Sequence, residues 1–152
     1  MKFLIQALAT GFGIGFSPVL PGSIATLLGC ALWWLIRDLP PGLYLLLIIG
    51  LFFPGARIAT ASEKIFKKKD PSQIVIDEIL AFPLAMFMVP VRPDTIFLGY
   101  LLFRAYDIFK PFPCRRLEHL PQGYGIMADD YAAAIYACLT LHGLAFLVGY
   151  LL

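Results

Sequence analysis

Seven ionisable side chains stand beside long apolar segments of this chain and are the first candidates for chemistry. The acids are Asp77, Glu78, Asp107, Asp129 and Asp130, and the bases are Arg104 and Lys110. Charged groups next to hydrophobic segments are costly to hold without a partner. Carboxylates gathered in one place repel one another unless cations or protons offset their charge. A mixed cluster of this kind is therefore predicted to bind a metal ion and a phosphate together.

Mg²⁺ is the metal that these residue types favour. The three cysteines and two histidines lack the close spacing of a zinc site. Mg²⁺ is commonly held by a few carboxylates together with waters and a substrate phosphate. Adjacent residues of a helix point about 100° apart, so Asp77 and Glu78 need not bind one ion together. One of them can instead pair with Arg104 or Lys110.

Composition indicates that this cluster belongs to an integral membrane protein. Of the 152 residues, 60% are hydrophobic and only 14% are charged, whereas about 25% are charged in a typical soluble domain. The length fits one domain over residues 1–152. The net charge of +2 and the scattered basic residues argue against a nucleic-acid partner.

Five apolar segments are predicted to be membrane-spanning helices. They cover residues 23–36, 43–56, 74–91, 95–109 and 131–152. Residues 3–16 are predicted to form a short helix that lies on the membrane or re-enters it, because glycines and prolines follow it closely. The expected fold is therefore all-α, a bundle of about five spanning helices.

Ser23 is expected to begin the first spanning helix. It follows Pro21 and Gly22 and is a residue type that favours the N-cap position. The free amide groups of a helix N-terminus bind anions, so Ser23 is a candidate for contact with a phosphate. A capping serine without any ligand explains the same residues.

The distribution of lysine and arginine predicts which end of the bundle faces the cytoplasm. Most of these residues lie in two polar stretches, 57–73 and 110–127, and basic loops stay on the cytoplasmic side. Because successive spans reverse direction, both acidic pairs, Asp107 and the start of the first helix arrive at this same side. The cluster is thus predicted at the cytoplasmic interface of a multi-pass protein.

Each part of the cluster also has a purely structural explanation. Arg104 and Asp107 are three residues apart and can form an intrahelical ion pair. The two acidic pairs can stabilise helix N-termini through the helix dipole. The basic run at residues 64–69 is best explained as a topology signal. The occurrence of all these features on one side favours a shared site.

Four sequence blocks carry these residues. They are PVLPGSIAT at 18–26, IVIDE at 74–78, RAYDIFKPFP at 104–113 and GYGIMADD at 123–130. In composition and order they resemble the signature blocks of the phosphatidylglycerophosphatase A family. The resemblance implies a Mg²⁺-dependent enzyme of the bacterial cytoplasmic (inner) membrane that converts the phospholipid phosphatidylglycerophosphate to phosphatidylglycerol and phosphate.

Carried across by position, the family's acidic residues fall on all five carboxylates, and its basic partners fall on Arg104 and Lys110. Gln122 stands where the resemblance leads us to expect a small residue. The residue types leave open which acids bind metal and which one acts as general base. They also leave open whether water attacks the phosphate directly or a phospho-aspartyl intermediate forms. The oligomeric state is not predicted.

Two other classes of protein are compatible with an acidic membrane cluster. An ion- or proton-coupled transporter is the main alternative, but such proteins place ionisable groups near the membrane midplane, and here they are predicted at one edge. A non-enzymatic scaffold is the second alternative. It predicts that Asp130→Glu has a mild effect, whereas a metal site would be sensitive to the longer side chain.

Overall fold

The computed structural model describes residues 2–149, and every regular element in that range is helical. The α-helices are α1 (Lys2–Ala9), α2 (Pro21–Ile36), α3 (Pro41–Phe66), α4 (Ile76–Ala85), α5 (Pro93–Phe109), α6 (Cys114–Leu117) and α7 (Gly123–Val148), with a 3-10 turn at Ile14–Phe16. The predicted all-α class is confirmed. The end of the fifth predicted segment, 150–152, lies outside the described residues.

Two helices are long and apolar enough to cross a membrane, as judged by length and composition. They are α3 and α7, each of 26 residues, or about 39 Å of helix against a hydrocarbon core of about 30 Å. The chain also exposes large apolar side chains such as Leu35, Phe97 and Leu147, which a lipid surface would cover. These features indicate membrane association, and five crossings are not confirmed. Helix α4, for example, has only ten residues.

Helices α3 and α7 extend beyond the apolar segments that predicted them. Helix α3 continues from the predicted end at residue 56 to Phe66, and α7 begins at Gly123 rather than at 131. Polar side chains do not end a helix when they project past the apolar part of the bundle. Much of the two predicted polar loops is therefore helical. Helix α4 is shorter than predicted and ends at Ala85.

The start of α2 also corrects a prediction. Ser23 is not the N-cap, because the helix begins at Pro21 and Leu20 precedes it with a left-handed φ of 44°. Proline is favoured in the first position of a helix, where an N–H group would have no intrahelical acceptor. Ser23 instead lies within the first turn, and its carbonyl accepts a hydrogen bond of 3.2 Å from the Tyr100 hydroxyl.

Glycines allow the helices that build the site to approach closely. Helix α4 packs between α2 and α7. A methyl group added at Gly29 of α2 would lie 2.7 Å from the Cβ atom of Phe82 in α4. One added at Gly123 of α7 would collide with the Ala56 carbonyl of α3. Small residues at such crossings are typical of helices packed in membranes, and here they allow α2 to pack closely on α4 and α7 on α3.

Two buried tyrosines join the central helices by hydrogen bonds to backbone carbonyls. The Tyr44 hydroxyl of α3 donates to Pro83 of α4 at 2.6 Å. The Tyr131 hydroxyl of α7 donates to Ile48 of α3 at 2.9 Å. A buried hydroxyl without a partner would be costly, so these bonds favour one arrangement of the three helices. That arrangement fixes where α4 and α7 present their acidic residues.

Candidate active site

All five predicted carboxylates line one cavity of about 290 Å³, called here the acidic cavity. It lies where α2, α4 and α7 begin and where α5 ends. The residues around it are Leu20, Pro21, Gly22, Asp70, Ser72, Ile74, Asp77, Glu78, Arg104, Asp107, Lys110, Ile126, Asp129 and Asp130. Helices of alternating direction thus bring the acids and both bases together, as their order in the sequence predicted.

Asp77, Glu78 and Asp130 form the closest group of acids in the cavity. Each contributes one carboxylate oxygen that lies within 4.8 Å of the others. Asp77 and Asp130 are only 9% and 3% exposed. Each of the three side chains also has a buried oxygen without a hydrogen-bond partner among residues 2–149. Buried anions so close together repel one another, and a hard divalent cation would neutralise them and use these oxygens as ligands.

Two helices present these three acids. Asp77 and Glu78 lie in the first turn of α4, where the helix dipole favours negative charge. Although adjacent in sequence, both reach the same group, and Asp130 approaches them from α7. The sequence suggested that Asp77 and Glu78 need not share an ion. The structure shows a geometry in which both can bind the same ion.

Arg104 connects two of the acids across a helix interface. Its Nη1 atom lies 2.7 Å from Asp107 Oδ2, within α5, and 3.6 Å from Glu78 Oε1 of α4. The intrahelical pair expected from their spacing is present, but the contact with Glu78 makes it part of the cavity. The Arg104 Nε atom is buried and has no hydrogen-bond partner in the described part of the chain.

Lys110 holds the remaining acid. It follows the last residue of α5, and its Nζ atom lies 2.6 Å from Asp129 Oδ2 and 3.3 Å from Glu118 Oε2. Burial of the ammonium group acts to lower the Lys110 pKa. The hydrogen bond to Asp129 and the negative charge of both acids outweigh burial, so the pKa lies above its ordinary value. Lys110 therefore carries its positive charge at neutral pH.

Gly22 leaves the space that the Glu78 carboxylate occupies. A methyl group at this position would collide with Glu78 Oε1 and lie 3.1 Å from Arg104 Nη2. Glu78 can move away cheaply because the contact is with the far end of a flexible side chain. We therefore expect Gly22→Ala to lower any reaction catalysed in this cavity by roughly 10-fold or more, because a displacement of about 1 Å in a reacting group is costly, with little loss of thermal stability.

The control for Gly22→Ala is Gly50→Ala in α3, because a methyl group there would meet nothing within 4 Å. Both variants add the same atoms to a helical glycine. Steady-state rates and melting temperatures of the two purified variants provide the comparison. Equal activity in both would show that the position of Glu78 does not matter for the reaction.

The structure adds residues to the cavity that the sequence did not single out. Asp70 and Ser72 lie in the loop between α3 and α4, and Gly22 lies at the start of α2. Asp70 directly follows the basic run at residues 64–69, which was interpreted as a topology signal, so its carboxylate was not considered for the site. The loop that contains it leads directly to Asp77. Ser23, predicted to contact phosphate, is not among the lining residues, and its neighbour Gly22 is.

The turn before α7 explains why a small residue was expected at Gln122. Gln122 has φ 59° and ψ −157°, a conformation that essentially only glycine adopts without strain. The turn allows Gly123 to pack against α3, where its amide donates a 3.0 Å hydrogen bond to the Thr60 hydroxyl. This packing helps to position the N-terminal part of α7, which carries Asp129 and Asp130, at the cavity.

Comparison with known proteins assigns the same part of the chain to one family. Residues 7–145 match the family model of phosphatidylglycerophosphatase A. Proteins named phosphatidylglycerophosphatase A from Escherichia coli and Haemophilus influenzae are 31% and 32% identical to the chain. The alignments cover 89% and 93% of this chain and 80% and 89% of those proteins.

A third relative carries a different name. A Bacteroides thetaiotaomicron protein, provisionally named phosphatidylinositol-3-phosphatase, is 32% identical over 97% of this chain and 98% of its own length. No solved structure matches the chain.

Proposed function

This chain belongs to the phosphatidylglycerophosphatase A family, and we propose that it hydrolyses phosphatidylglycerophosphate to phosphatidylglycerol and phosphate. The observation that carries the proposal is the acidic cavity, where five carboxylates and two cations meet at one end of a helical bundle. A phosphate monoester is recognised by fixed positive charge, and its hydrolysis is assisted by a divalent metal ion. The cavity contains the residue types for both tasks.

We propose that the metal is Mg²⁺ and that Asp77, Glu78 and Asp130 form the core of its site. Their close oxygens and their burial support a hard cation, as does the lack of sulfur or imidazole groups among those of residues 2–149 that line the cavity. When bound, Mg²⁺ supplies positive charge that polarises the phosphoryl oxygens.

The remaining charged residues are proposed to bind the phosphate and to handle the proton. Arg104 and Lys110 offset negative charge on the phosphate. Asp107 and Asp129 orient these two cations, at 2.7 Å and 2.6 Å respectively, and one of the two acids accepts the proton of the attacking water. The amide groups in the first turn of α2, which contains Gly22 and Ser23, are proposed to face the phosphate as well.

The membrane position follows from the same proposal. A lipid phosphate lies at the headgroup level, so the acidic cavity is placed at the cytoplasmic interface, with the basic stretches 57–73 and 110–127 on the same side. We propose a single multi-pass domain in the bacterial inner membrane. The location of the acids where helices begin and end supports interfacial chemistry over an ion- or proton-coupled transporter.

A second substrate is supported by one observation, the name of the Bacteroides relative. Phosphatidylinositol 3-phosphate and phosphatidylglycerophosphate have the same arrangement of phosphate groups. Each has a terminal phosphate monoester on an alcohol that a phosphodiester joins to diacylglycerol. The acidic cavity alone would treat the two monoesters similarly, so selectivity between them depends on contacts outside it.

Phosphate release from phosphatidylglycerophosphate by the purified protein tests the proposed function. We expect release with Mg²⁺, loss of release when a chelator removes the metal, and recovery when Mg²⁺ is returned. Phosphatidylinositol 3-phosphate, phosphatidate and lysophosphatidate, tested in parallel, rank the substrates. Folded protein that releases phosphate from none of these lipids in the presence of Mg²⁺ would contradict the proposal.

A further inference from the structure

A second, wider depression lies beside the acidic cavity, around the junction of α5 and α6. We call it the headgroup groove. It has a volume of about 700 Å³ and is lined by Phe109, Lys110, Phe112, Arg115, Arg116 and His119. Lys110 also lines the acidic cavity, so the two spaces share a wall.

The two arginines of the groove carry positive charge that no acid in the described part of the chain neutralises. Arg115 and Arg116 are exposed, and neither forms an ion pair within residues 2–149. Lys110 is different, because Asp129 and Glu118 hold its ammonium group. The two arginines are therefore available to an anion from outside the protein. A guanidinium group recognises phosphate oxygens through paired hydrogen bonds.

The groove also adjoins an apolar surface suited to acyl chains. Phe97, Leu101 and Ile108 of α5 are 65%, 45% and 66% exposed, and their spacing places them on one face of the helix. Phe109 at the end of this helix and Phe112 in the turn that follows are also exposed, and both line the groove. An anion held by the arginines is thus next to a surface that lipid would cover.

We propose that the headgroup groove binds the phosphodiester of the substrate lipid while the terminal phosphate occupies the acidic cavity. This inference rests on the proposed function and extends it to selectivity. Phosphatidylglycerophosphate has a phosphodiester one glycerol away from its monoester, which suits two anion sites that share Lys110. Phosphatidate has only the monoester. Arg115 and Arg116 therefore favour lipids whose monoester lies on a separate headgroup.

Binding of phosphatidylglycerol to the purified protein in neutral detergent micelles tests the groove without turnover. This lipid has the phosphodiester but lacks the monoester. We expect Arg115→Gln/Arg116→Gln to weaken its binding roughly 10-fold or more, because charge-assisted contacts to phosphate are lost. Binding of diacylglycerol, which has no phosphate, is expected to be the same for both proteins. Arg115→Lys/Arg116→Lys, which keeps the charge, should bind more tightly than Arg115→Gln/Arg116→Gln.

The matched control is Arg57→Gln/Lys64→Gln, which removes the same charge from a different basic surface of α3. If this control weakens phosphatidylglycerol binding equally, general attraction to anionic lipid explains the effect and the groove is excluded. Unchanged binding in Arg115→Gln/Arg116→Gln would also overturn the inference. The proposed function fails separately, through absence of phosphate release from phosphatidylglycerophosphate by wild-type protein that still binds phosphatidylglycerol.

Discussion

Asp130→Asn is expected to reduce phosphate release by at least roughly 100-fold, the upper range for disturbing groups that support a metal site. Asp130 is almost fully buried and comes within 4.8 Å of Asp77 and Glu78 through one oxygen of each side chain. Asparagine has nearly the same shape but lacks the negative charge that a divalent cation requires. The measurement is the initial rate of phosphate release from phosphatidylglycerophosphate at saturating Mg²⁺.

The same substitution is not expected to unfold the protein. Without metal, the buried Asp130 carboxylate repels its acidic neighbours, so asparagine removes an unfavourable interaction. We expect an equal or higher melting temperature for Asp130→Asn in chelator, and a smaller increase on addition of Mg²⁺ than in wild type. Asp38→Asn, at a side chain that is 88% exposed, is the control and should behave like wild type in both measurements.

Asp130→Glu distinguishes a metal-dependent enzyme from a non-enzymatic scaffold. Glutamate keeps the charge but moves the carboxylate by about one methylene, and Mg²⁺ tolerates little change in ligand geometry. Severe loss of activity in Asp130→Glu agrees with a metal site. Wild-type activity in both Asp130 variants would exclude Asp130 from the reaction.

Arg104→Gln is expected to lose both activity and stability. Arg104 contacts Asp107 at 2.7 Å and Glu78 at 3.6 Å, and its side chain is 16% exposed. Removing it leaves two largely buried acids without their cation, which costs about 3 kcal/mol in comparable buried pairs. The phosphate would also lose one of its two proposed cations, so we expect a fall in kcat/KM of roughly 100-fold or more.

A double substitution separates these two effects of Arg104→Gln. Adding Asp107→Asn removes the nearest unpaired charge and is expected to recover part of the melting temperature. Activity is not expected to recover, because the cation for the phosphate is still missing. Arg57→Gln, at an exposed position of α3, controls for the loss of an arginine. Recovery of activity together with stability would indicate that Arg104 acts only on the fold.

The sequence predicted the convergence of the acids because that prediction needs only the order of helices and charges. Asp77 begins one helix, Asp107 ends the next and Asp130 lies near the start of another, so alternating direction brings them to one end. The exact helix lengths were not needed. For this reason the prediction held even though α3 and α7 extend beyond their apolar segments.

The finer geometry of the cavity depends on tertiary packing and was not visible in the sequence. The closeness of Asp77, Glu78 and Asp130 results from how α4 and α7 pack, since residue spacing within one helix says nothing about a neighbour. Gly22 matters only because Glu78 lies against it. The N-cap predicted at Ser23 was wrong because Pro21 begins the helix earlier. Five crossings were inferred from apolar windows, and length alone supports two.

Titration of Mn²⁺ into the purified protein tests the central claim, that the acidic cavity is a divalent-metal site. Mn²⁺ accepts the same oxygen ligands as Mg²⁺, and the electron paramagnetic resonance signal of free Mn²⁺ is lost on binding. We predict that wild type and Asp38→Asn bind Mn²⁺, that Mg²⁺ displaces it, and that Asp130→Asn binds it at least roughly 10-fold more weakly. Equal Mn²⁺ binding by folded wild type and Asp130→Asn, or no binding by wild type, would contradict the account.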